Sequence, residues 1–289
     1  MRLKLLAATT FALTPMLVLA KPLTVCTESS PDGFDVVQFN SLVTANASAD
    51  VIFNTLVSYD EAQKKVVPAF ADKWDVSSDG LTYTFHLRPN VQFQTTDYFK
   101  PSRAFDADDV VFTFSRMLDD SNPWHKVAGS SGFPHAQSMG LVKLIKAVTK
   151  VDDRIVKFEL NEPNATFVPI LTMGFASIYS AEYADKLLKA NQQVDLNAKP
   201  VGTGPFQLKS YTKDAAIRYD VNPAYWGPKP KIDRLIYAIT PDATVRAQKI
   251  KAGEWPKPAI TSQSRPPILT MSPLRIRRYS GGFDGTSVG

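Results

Sequence analysis

Two regular patterns of apolar and polar positions stand out along the chain. Between residues 81 and 88 the two kinds of side chain alternate strictly, with Tyr83 and Phe85 on the apolar face. A period of two is typical of a strand that is buried on one face. From Asp106 to Leu118, apolar residues recur at helical intervals after an aspartate that can cap a helix. These patterns predict a β-strand and an amphipathic helix.

Shorter patterns of both kinds occupy most of the chain up to Gly253. Runs rich in β-formers predict strands over residues 23–26, 144–149, 155–160, 206–211, 215–221 and 235–240, the second and third forming a hairpin. Helical spacing predicts helices over residues 44–56, 180–190 and 241–253. In the second of these helices, Glu182 and Lys186 are placed for an ion pair. This mixture of elements predicts the α+β class with mixed sheets.

The first twenty residues have the pattern of a secretory signal peptide. Arg2 and Lys4 precede an uncharged apolar run, which ends before Ala20 at a cleavage-site pattern. The run is shorter than the roughly 20 residues of a membrane-spanning helix. The residues before Cys26 lack the small side chains of a lipoprotein cleavage site. We therefore expect export to the periplasm through a cleavable signal peptide over residues 1–20, without a lipid anchor.

The formal net charge of +5 is concentrated at the two ends of the sequence. Two basic residues lie in the first twenty, and five basic and two acidic residues follow Gly253. Residues 21–253 therefore hold 26 residues of each sign. A neutral body argues against nucleic acid as a partner. The 44% hydrophobic content and the length are sufficient for one large domain or two smaller ones.

Motifs for catalysis or metal binding do not occur at the spacings that such chemistry requires. His86, His125 and His135 do not lie one helical turn apart, nor beside cysteine or paired carboxylates. Residues 129–132 (GSSG) lack the G-x-S-x-G pattern of a serine nucleophile. Residues 202–205 (GTGP) lack the lysine of a phosphate loop and are expected to form a structural turn. The chain is predicted to bind a solute, without enzymatic activity, cofactor or metal.

Several segments, in order along the chain, carry a family resemblance. They are residues 23–34 (LTVCTESSPDGF), 69–87 (AFADKWDVSSDGLTYTFHL), 107–116 (ADDVVFTFSR), 122–126 (NPWHK), 175–186 (FASIYSAEYADK), 201–207 (VGTGPFQ), 225–227 (YWG) and 239–246 (ITPDATVR). Together they resemble the dipeptide-binding members of the peptide/nickel class of periplasmic solute-binding proteins, the receptor components of ABC importers. The resemblance covers essentially all of residues 21–253.

The resemblance implies two lobes that close on an extended peptide, with a smaller accessory domain on the first lobe. On this basis, residues 21–53 and 202–253 form a discontinuous, incomplete first lobe, and residues 54–201 form the accessory α+β domain. The second ligand-binding lobe, with its charged contacts to the peptide termini, is expected to be missing. The implied function is that of a monomer that captures dipeptides or short peptides and delivers them to permease subunits in the inner membrane.

In the family that the chain resembles, the first lobe contacts ligand mainly with backbone groups and small polar side chains near its first loop. The corresponding candidates are Thr27, Ser29, Asn40 and Ser41. The family often has Thr-Ser-Gly where this chain reads Asn40-Ser41-Leu42. Ordinary loop and cap roles are the alternative for all four candidates.

Residues 254–289 differ in character from the rest of the chain. They hold five prolines and four glycines without apolar periodicity, which predicts a disordered tail. The family tends to have a Glu-Cys pair where this chain reads Glu254-Trp255, so the resemblance implies a lost partner for Cys26. A frameshift near Glu254 would explain both features. The alternative for Cys26, the sole cysteine, is an inert buried thiol.

The sequence leaves four other hypotheses about the function open. The same family includes receptors for haem, nickel and longer oligopeptides. An exported hydrolase would use Ser130, Ser131 or His135 as catalytic groups, whereas a structural or adhesion protein would bind no peptide. The fourth is a truncated product without function, because binding by lobe closure needs ligand contacts from both lobes.

Overall fold

Two four-stranded sheets and a separate hairpin organise residues 22–253, the part of the chain that the computed structural model describes. The predictions for residues 1–20 (signal peptide) and 254–289 (disordered, out-of-frame tail) lie outside these residues. The mixture of helices and sheets confirms the predicted α+β class.

The first sheet joins the beginning and the end of the described chain. Its strands lie in the order β1-β10-β9-β8, with bounds β1 (Leu23–Thr27), β8 (Phe206–Thr212), β9 (Ala216–Val221) and β10 (Arg234–Ile239). β1 runs parallel to β10, with Leu23 opposite Leu235, and the other pairs are antiparallel. This is the mixed sheet that the sequence predicts. Helix α1 (Leu42–Ile52) packs on it, since the Tyr219 hydroxyl donates to the Ala47 carbonyl oxygen at 2.6 Å.

The second sheet is antiparallel and is built from the middle of the chain. Its order is β4-β5-β7-β6, with bounds β4 (Ala71–Val76), β5 (Thr82–Leu87), β6 (Ile145–Asp152) and β7 (Ile155–Leu160), and the separate hairpin is β2 (Val57–Asp60) with β3 (Lys65–Pro68). β5 is the strand predicted from alternation, and its alternate side chains are buried. Helix α2 (Ala107–Leu118) begins after Asp106 with a capping box that includes Asp109, as the sequence predicts.

Shorter helices connect these layers. They are α3 (Pro134–Ser138), α4 (Leu141–Leu144), α5 (Phe167–Ile170), α6 (Ala181–Lys189), α7 (Asp195–Ala198) and α8 (Ala243–Lys251), with 3-10 turns at Lys126–Ser131 and Gly174–Ala176. Ser180 caps α6 as predicted. α1 begins earlier than predicted because Ser41 caps it, and it ends at Ile52 because Phe53 is extended. α8 begins after Asp242, whose carboxylate accepts two backbone N–H groups.

The predicted ion pair between Glu182 and Lys186 does not form. The Glu182 carboxylate instead accepts the Ser102 backbone N–H at 3.0 Å. The Lys186 ammonium donates to the Tyr98 carbonyl oxygen at 2.8 Å and lies 5.7 Å from the centre of the Phe99 ring. Both side chains therefore bind the loop before α2. The spacing of residues along a helix could not predict these partners.

The glycines of residues 202–205 allow this segment to pack against the end of α1. A Cβ atom on Gly202 would lie 1.9 Å from the Ile52 carbonyl oxygen, and the Gly204 N–H donates to that oxygen at 2.8 Å. The buried Gln94 side chain donates to the Phe206 carbonyl oxygen at 2.8 Å. The segment thus has a structural role, and it links the end of α1 to the loop that carries Gln94.

The proposed domain boundaries remain a prediction. All strands of the first sheet come from residues 21–53 and 202–253, and all the other described strands come from residues 54–201. However, the buried apolar side chains of both parts form one continuous cluster.

A fully buried ion pair crosses between these two parts. Arg116, on α2, donates to both carboxylate oxygens of Asp35 at 2.8 Å, and neither side chain is exposed to solvent. Tyr179 lies against the guanidinium, with 4.4 Å from Cζ to the ring centre, and Gln38 donates to Asp35 at 2.7 Å. Burial alone would lower the pKa of Arg116, but Asp35 raises it above its ordinary value. Arg116 therefore stays charged despite its burial.

Replacing Arg116 with Met should destabilise the fold by about 3–5 kcal/mol, because the buried carboxyl group of Asp35 would lose the partner of both its oxygens. The free energy of unfolding, measured with urea, tests this. Lys199→Met is the control, since Lys199 forms an exposed pair with Asp195 and should cost less than about 1 kcal/mol. The double variant Arg116→Met/Asp35→Leu should recover part of the loss. If Arg116→Met lost no more stability than the control, the buried ion pair would not contribute to the fold as described.

Candidate ligand-binding site

Thr27 lies at the carboxyl end of the parallel pair β1 and β10, the edge at which α/β sheets commonly bind ligands. Its carbonyl oxygen accepts the Thr240 N–H at 2.8 Å. Its hydroxyl donates to the Ser29 carbonyl oxygen at 3.4 Å. The end of the strand and the start of the following loop are therefore held together through Thr27.

Ser29 is exposed in the loop that follows β1. Within residues 22–253, its hydroxyl makes no hydrogen bond to another group. The next residue, Ser30, attaches the loop to the turn between β8 and β9, because it donates to the Asp214 carboxylate and accepts the Asp214 N–H, both at 2.8 Å. The loop is thus fixed beside Ser29, and the Ser29 hydroxyl can bond to a ligand.

Asn40 and Ser41 lie at the start of α1, close to the same loop. The Ser41 hydroxyl accepts the Thr44 N–H at 3.3 Å and caps the helix. Asn40 is exposed and has no hydrogen bond to other described residues. The Asp32 N–H donates to the Thr44 hydroxyl at 2.9 Å, which joins the loop to the first turn of α1. The structure therefore connects the two pairs of candidates, but it already uses Ser41 as a cap.

The far end of the loop is held by residues that the sequence analysis did not identify. Asn197, on α7, accepts the backbone N–H groups of Phe34 and Asp35 through its side-chain oxygen, both at 2.8 Å. Asp35 also pairs with Arg116. No local pattern marks these contacts, because the partners are distant along the chain. The resemblance of residues 23–34 to the family loop was the available signal, and it did not include the partners.

Cys26 is buried at the end of β1, with 6% of its surface exposed. Burial raises the pKa of its thiol, although the positive charges of Arg246 and Lys249 act in the opposite direction and Glu28 raises it further. The buried position agrees with the inert-thiol alternative. Whether Cys26 has a partner in a longer chain stays a prediction.

A separate surface pocket lies on the middle part of the chain. It has a volume of about 440 Å³ and is lined by groups such as Asp120, His125, Gln137 and Lys143. None of the four candidate residues contributes to it.

Two further properties of the described residues concern metal-binding groups and membrane-spanning helices. Residues 22–253 contain no group of three or more His, Cys, Asp or Glu side chains arranged to hold a metal ion. Among the same residues, no helix combines the length and the apolar character needed to cross a membrane.

The Cys26 thiol should react slowly with a disulfide reagent in the folded protein. Burial and a raised pKa both reduce the population of accessible thiolate, so we expect labelling at pH 8 to be at least about tenfold slower than in urea. Spectrophotometric thiol titration with and without urea measures this ratio. Equal rates in the two conditions would show that the thiol is exposed.

Replacing Ser41 with Ala should lower the free energy of unfolding by about 1 kcal/mol, because α1 loses its N-cap. Ser29→Ala is the matched control, since its hydroxyl has no partner among the described residues, and it should leave stability unchanged. Urea unfolding of the three proteins compares them. An unchanged free energy of unfolding for Ser41→Ala would contradict the role of Ser41 as the N-cap of α1.

Comparison with known proteins places the chain in a family. The family described as bacterial extracellular solute-binding proteins, family 5 (middle) matches residues 65–268. A probable di/tripeptide-binding protein 5 of Pseudomonas aeruginosa (strain UCBPP-PA14) is 57% identical over 270 residues, which cover 90% of this chain and 51% of that protein. Heme-binding protein A of Haemophilus influenzae (strain ATCC 51907 / DSM 11121 / KW20 / Rd) is 45% identical, covering 79% of this chain and 42% of that protein.

A solved structure agrees with this placement. The dipeptide-binding protein from Pseudoalteromonas sp. SM9913, in complex with Met-Leu, superimposes with a TM-score of 0.79 at 37% identity, covering 81% of this chain and 46% of that one. The chain thus spans about half the length of the relatives it matches. With the family match extending over most of the sequence, this chain belongs to family 5 of the bacterial extracellular solute-binding proteins.

Proposed function

We propose that the chain forms one side of a periplasmic receptor that captures dipeptides or short peptides for an ABC importer. The observation that carries the proposal is the loop after β1, which presents the exposed Ser29 at the carboxyl edge of the first sheet. The 57% identity with a probable di/tripeptide-binding protein supports the choice of ligand.

The candidate groups fit the backbone of a short peptide. A peptide offers N–H donors and C=O acceptors in alternation, and the hydroxyl groups of Thr27 and Ser29 can act as donor or acceptor. The Asn40 side chain adds an exposed amide with both functions. None of these groups is a nucleophile beside a base, so we propose binding without catalysis.

Binding by closure explains how such a site would work in a full-length relative. A ligand that contacts two lobes only in the closed state shifts the hinge equilibrium towards that state. Residues 21–253 would supply only one set of these contacts. We therefore expect the chain alone to bind peptides weakly, and we propose that a monomer with both lobes presents the closed form to the permease subunits in the inner membrane.

Haem is the second candidate ligand, because Heme-binding protein A is 45% identical to this chain. Haem iron is usually held by His, Met, Cys or Tyr. Thr27, Ser29, Asn40 and Ser41 include none of these types. The same reasoning disfavours a nickel ion held directly by these residues. The chemistry of the candidate residues therefore favours a peptide.

Calorimetric titration with a panel of dipeptides tests the proposal. Two proteins are compared: the 289-residue chain, and a chimera in which residues 21–253 are joined to the part of the Pseudomonas aeruginosa relative that follows the matched region. We expect the chimera to bind at least one dipeptide and the chain to bind at least about a hundredfold more weakly, because residues 21–253 would supply only one of the two sets of contacts that closure requires. Haem is titrated in parallel.

In the chimera, Ser29→Ala should weaken dipeptide binding about three- to tenfold, the effect of one lost hydrogen bond. Ser78→Ala is the matched control, because Ser78 is exposed in a turn remote in sequence from the candidate residues and should leave affinity unchanged. Haem binding without dipeptide binding would replace peptide by haem as the ligand. An equal effect of both serine variants would show that the site lies elsewhere.

A further inference from the structure

The loop that carries Ser29 ends in a segment held by the middle part of the chain. The Asn197 side-chain oxygen accepts the N–H groups of Phe34 and Asp35 at 2.8 Å each, and the Asn197 carbonyl oxygen also accepts the Phe34 N–H, at 3.1 Å. The fit is close, because a Cβ atom on Gly33 would lie 2.0 Å from the Asn197 side-chain oxygen. Asn197 therefore holds two consecutive peptide groups in one position.

Arg116 provides a second anchor at the same place. Its guanidinium binds both oxygens of Asp35, and both residues are fully buried. The aromatic rings of Phe112, Phe133 and Tyr179 lie within 6 Å of the guanidinium carbon, at 5.6, 5.8 and 4.4 Å to their centres. A planar charged group enclosed in this way has little freedom to move, and Asp35 is fixed with it.

These two anchors come from a different part of the chain than the other residues that hold the loop. Ser30 is held by Asp214 of the first sheet, and Asp32 by Thr44 of α1. Asn197 and Arg116 both belong to residues 54–201, the predicted accessory domain. The loop from Thr27 to Asp35 is thus fixed at intervals along its length, while Ser29 stays exposed.

We propose that Asn197 and Arg116 are positioning residues for ligand binding, and that holding this loop in its binding conformation is a role of residues 54–201. The inference rests on the proposed function, since it assumes that the loop contacts ligand. A loop that is ordered before binding does not lose conformational entropy when the ligand arrives, so its affinity is higher than that of a mobile loop.

Variants of Asn197 separate positioning from general stability. Asn197→Leu has a similar shape but no acceptor, so the Asp35 N–H loses its partner. Asn197→Asp keeps an acceptor oxygen in the same place and should restore the contact. Asn164→Leu is the control, because Asn164 likewise accepts two hydrogen bonds, from the Thr166 N–H and hydroxyl, in a turn that does not touch the loop.

Hydrogen exchange of the full chain gives the first readout. In Asn197→Leu, the Phe34 and Asp35 amides should exchange at least about tenfold faster than in wild type, whereas the amides of α2 should change by less than about threefold. Asn197→Asp should stay close to wild type at all these amides. Loop exchange that is unchanged in Asn197→Leu, or that rises equally in Asn164→Leu, would overturn the proposal.

Dipeptide affinity of the chimera gives the second readout. Asn197→Leu should weaken binding about tenfold, while Asn197→Asp and Asn164→Leu should bind like the parent. Faster loop exchange without any loss of affinity would overturn the positioning role. If the parent chimera binds no dipeptide, the proposed function fails, and the exchange experiment still decides whether Asn197 orders the loop.

Discussion

An ion pair between Asp35 and Arg116, 81 residues apart along the chain, joins the loop after β1 to α2 in the interior of the protein. Asp35 and Arg116 are both fully buried, and either one alone would carry a large desolvation cost. The bidentate contact between them, the hydrogen bond from the Gln38 amide and the ring of Tyr179 together offset much of this desolvation cost. The pair thereby imposes a fixed position on the loop after β1 relative to α2. Ser30, Asp32 and Phe34 hold the same loop at other points through Asp214, Thr44 and Asn197.

The ion pair also connects the two predicted parts of the molecule. Residues 54–201 contribute none of the four ligand candidates, yet they supply Arg116 and Asn197, which hold the end of the candidate loop. In the proposed site, residues 54–201 would act on ligand binding through the position of the loop and not through their own ligand contacts. It also limits how freely that part can vary, because a change in the position of α2 or α7 would be transmitted directly to Asp35.

Local patterns in the sequence identified most of the secondary structure. β5 and α2 follow from alternation and helical spacing, and the caps Asp106 and Ser180 follow from side chains that compete well for backbone N–H groups. The ion pair expected between Glu182 and Lys186 failed, because nearby backbone groups at Ser102 and Tyr98 offered each side chain an alternative partner. Local spacing cannot indicate such competition.

The candidate site was less predictable than the fold. Thr27 and Ser29 came from the family resemblance. The structure places Thr27 at the end of β1 and Ser29 in the loop that follows, and their contact with ligand stays a prediction. Ser41 illustrates the difficulty, because a small polar residue before a helix is equally suited to capping the helix and to meeting a ligand. Asn197 and Arg116 were not identified, since each acts on a segment that the chain brings close only after folding.

The pairing of β1 with β10 also determines the order in which the protein can be assembled. Leu23 lies at the start of the described residues but pairs with Leu235, so the first sheet cannot be completed until almost all of residues 22–253 are available. The second sheet closes between residues 71 and 160 and can form from an incomplete chain. Contacts between distant segments form slowly. During synthesis, the N-terminal strand would therefore stay unpaired while the middle of the chain folds. In this interval a chain of this topology is most exposed to proteases and most in need of chaperones.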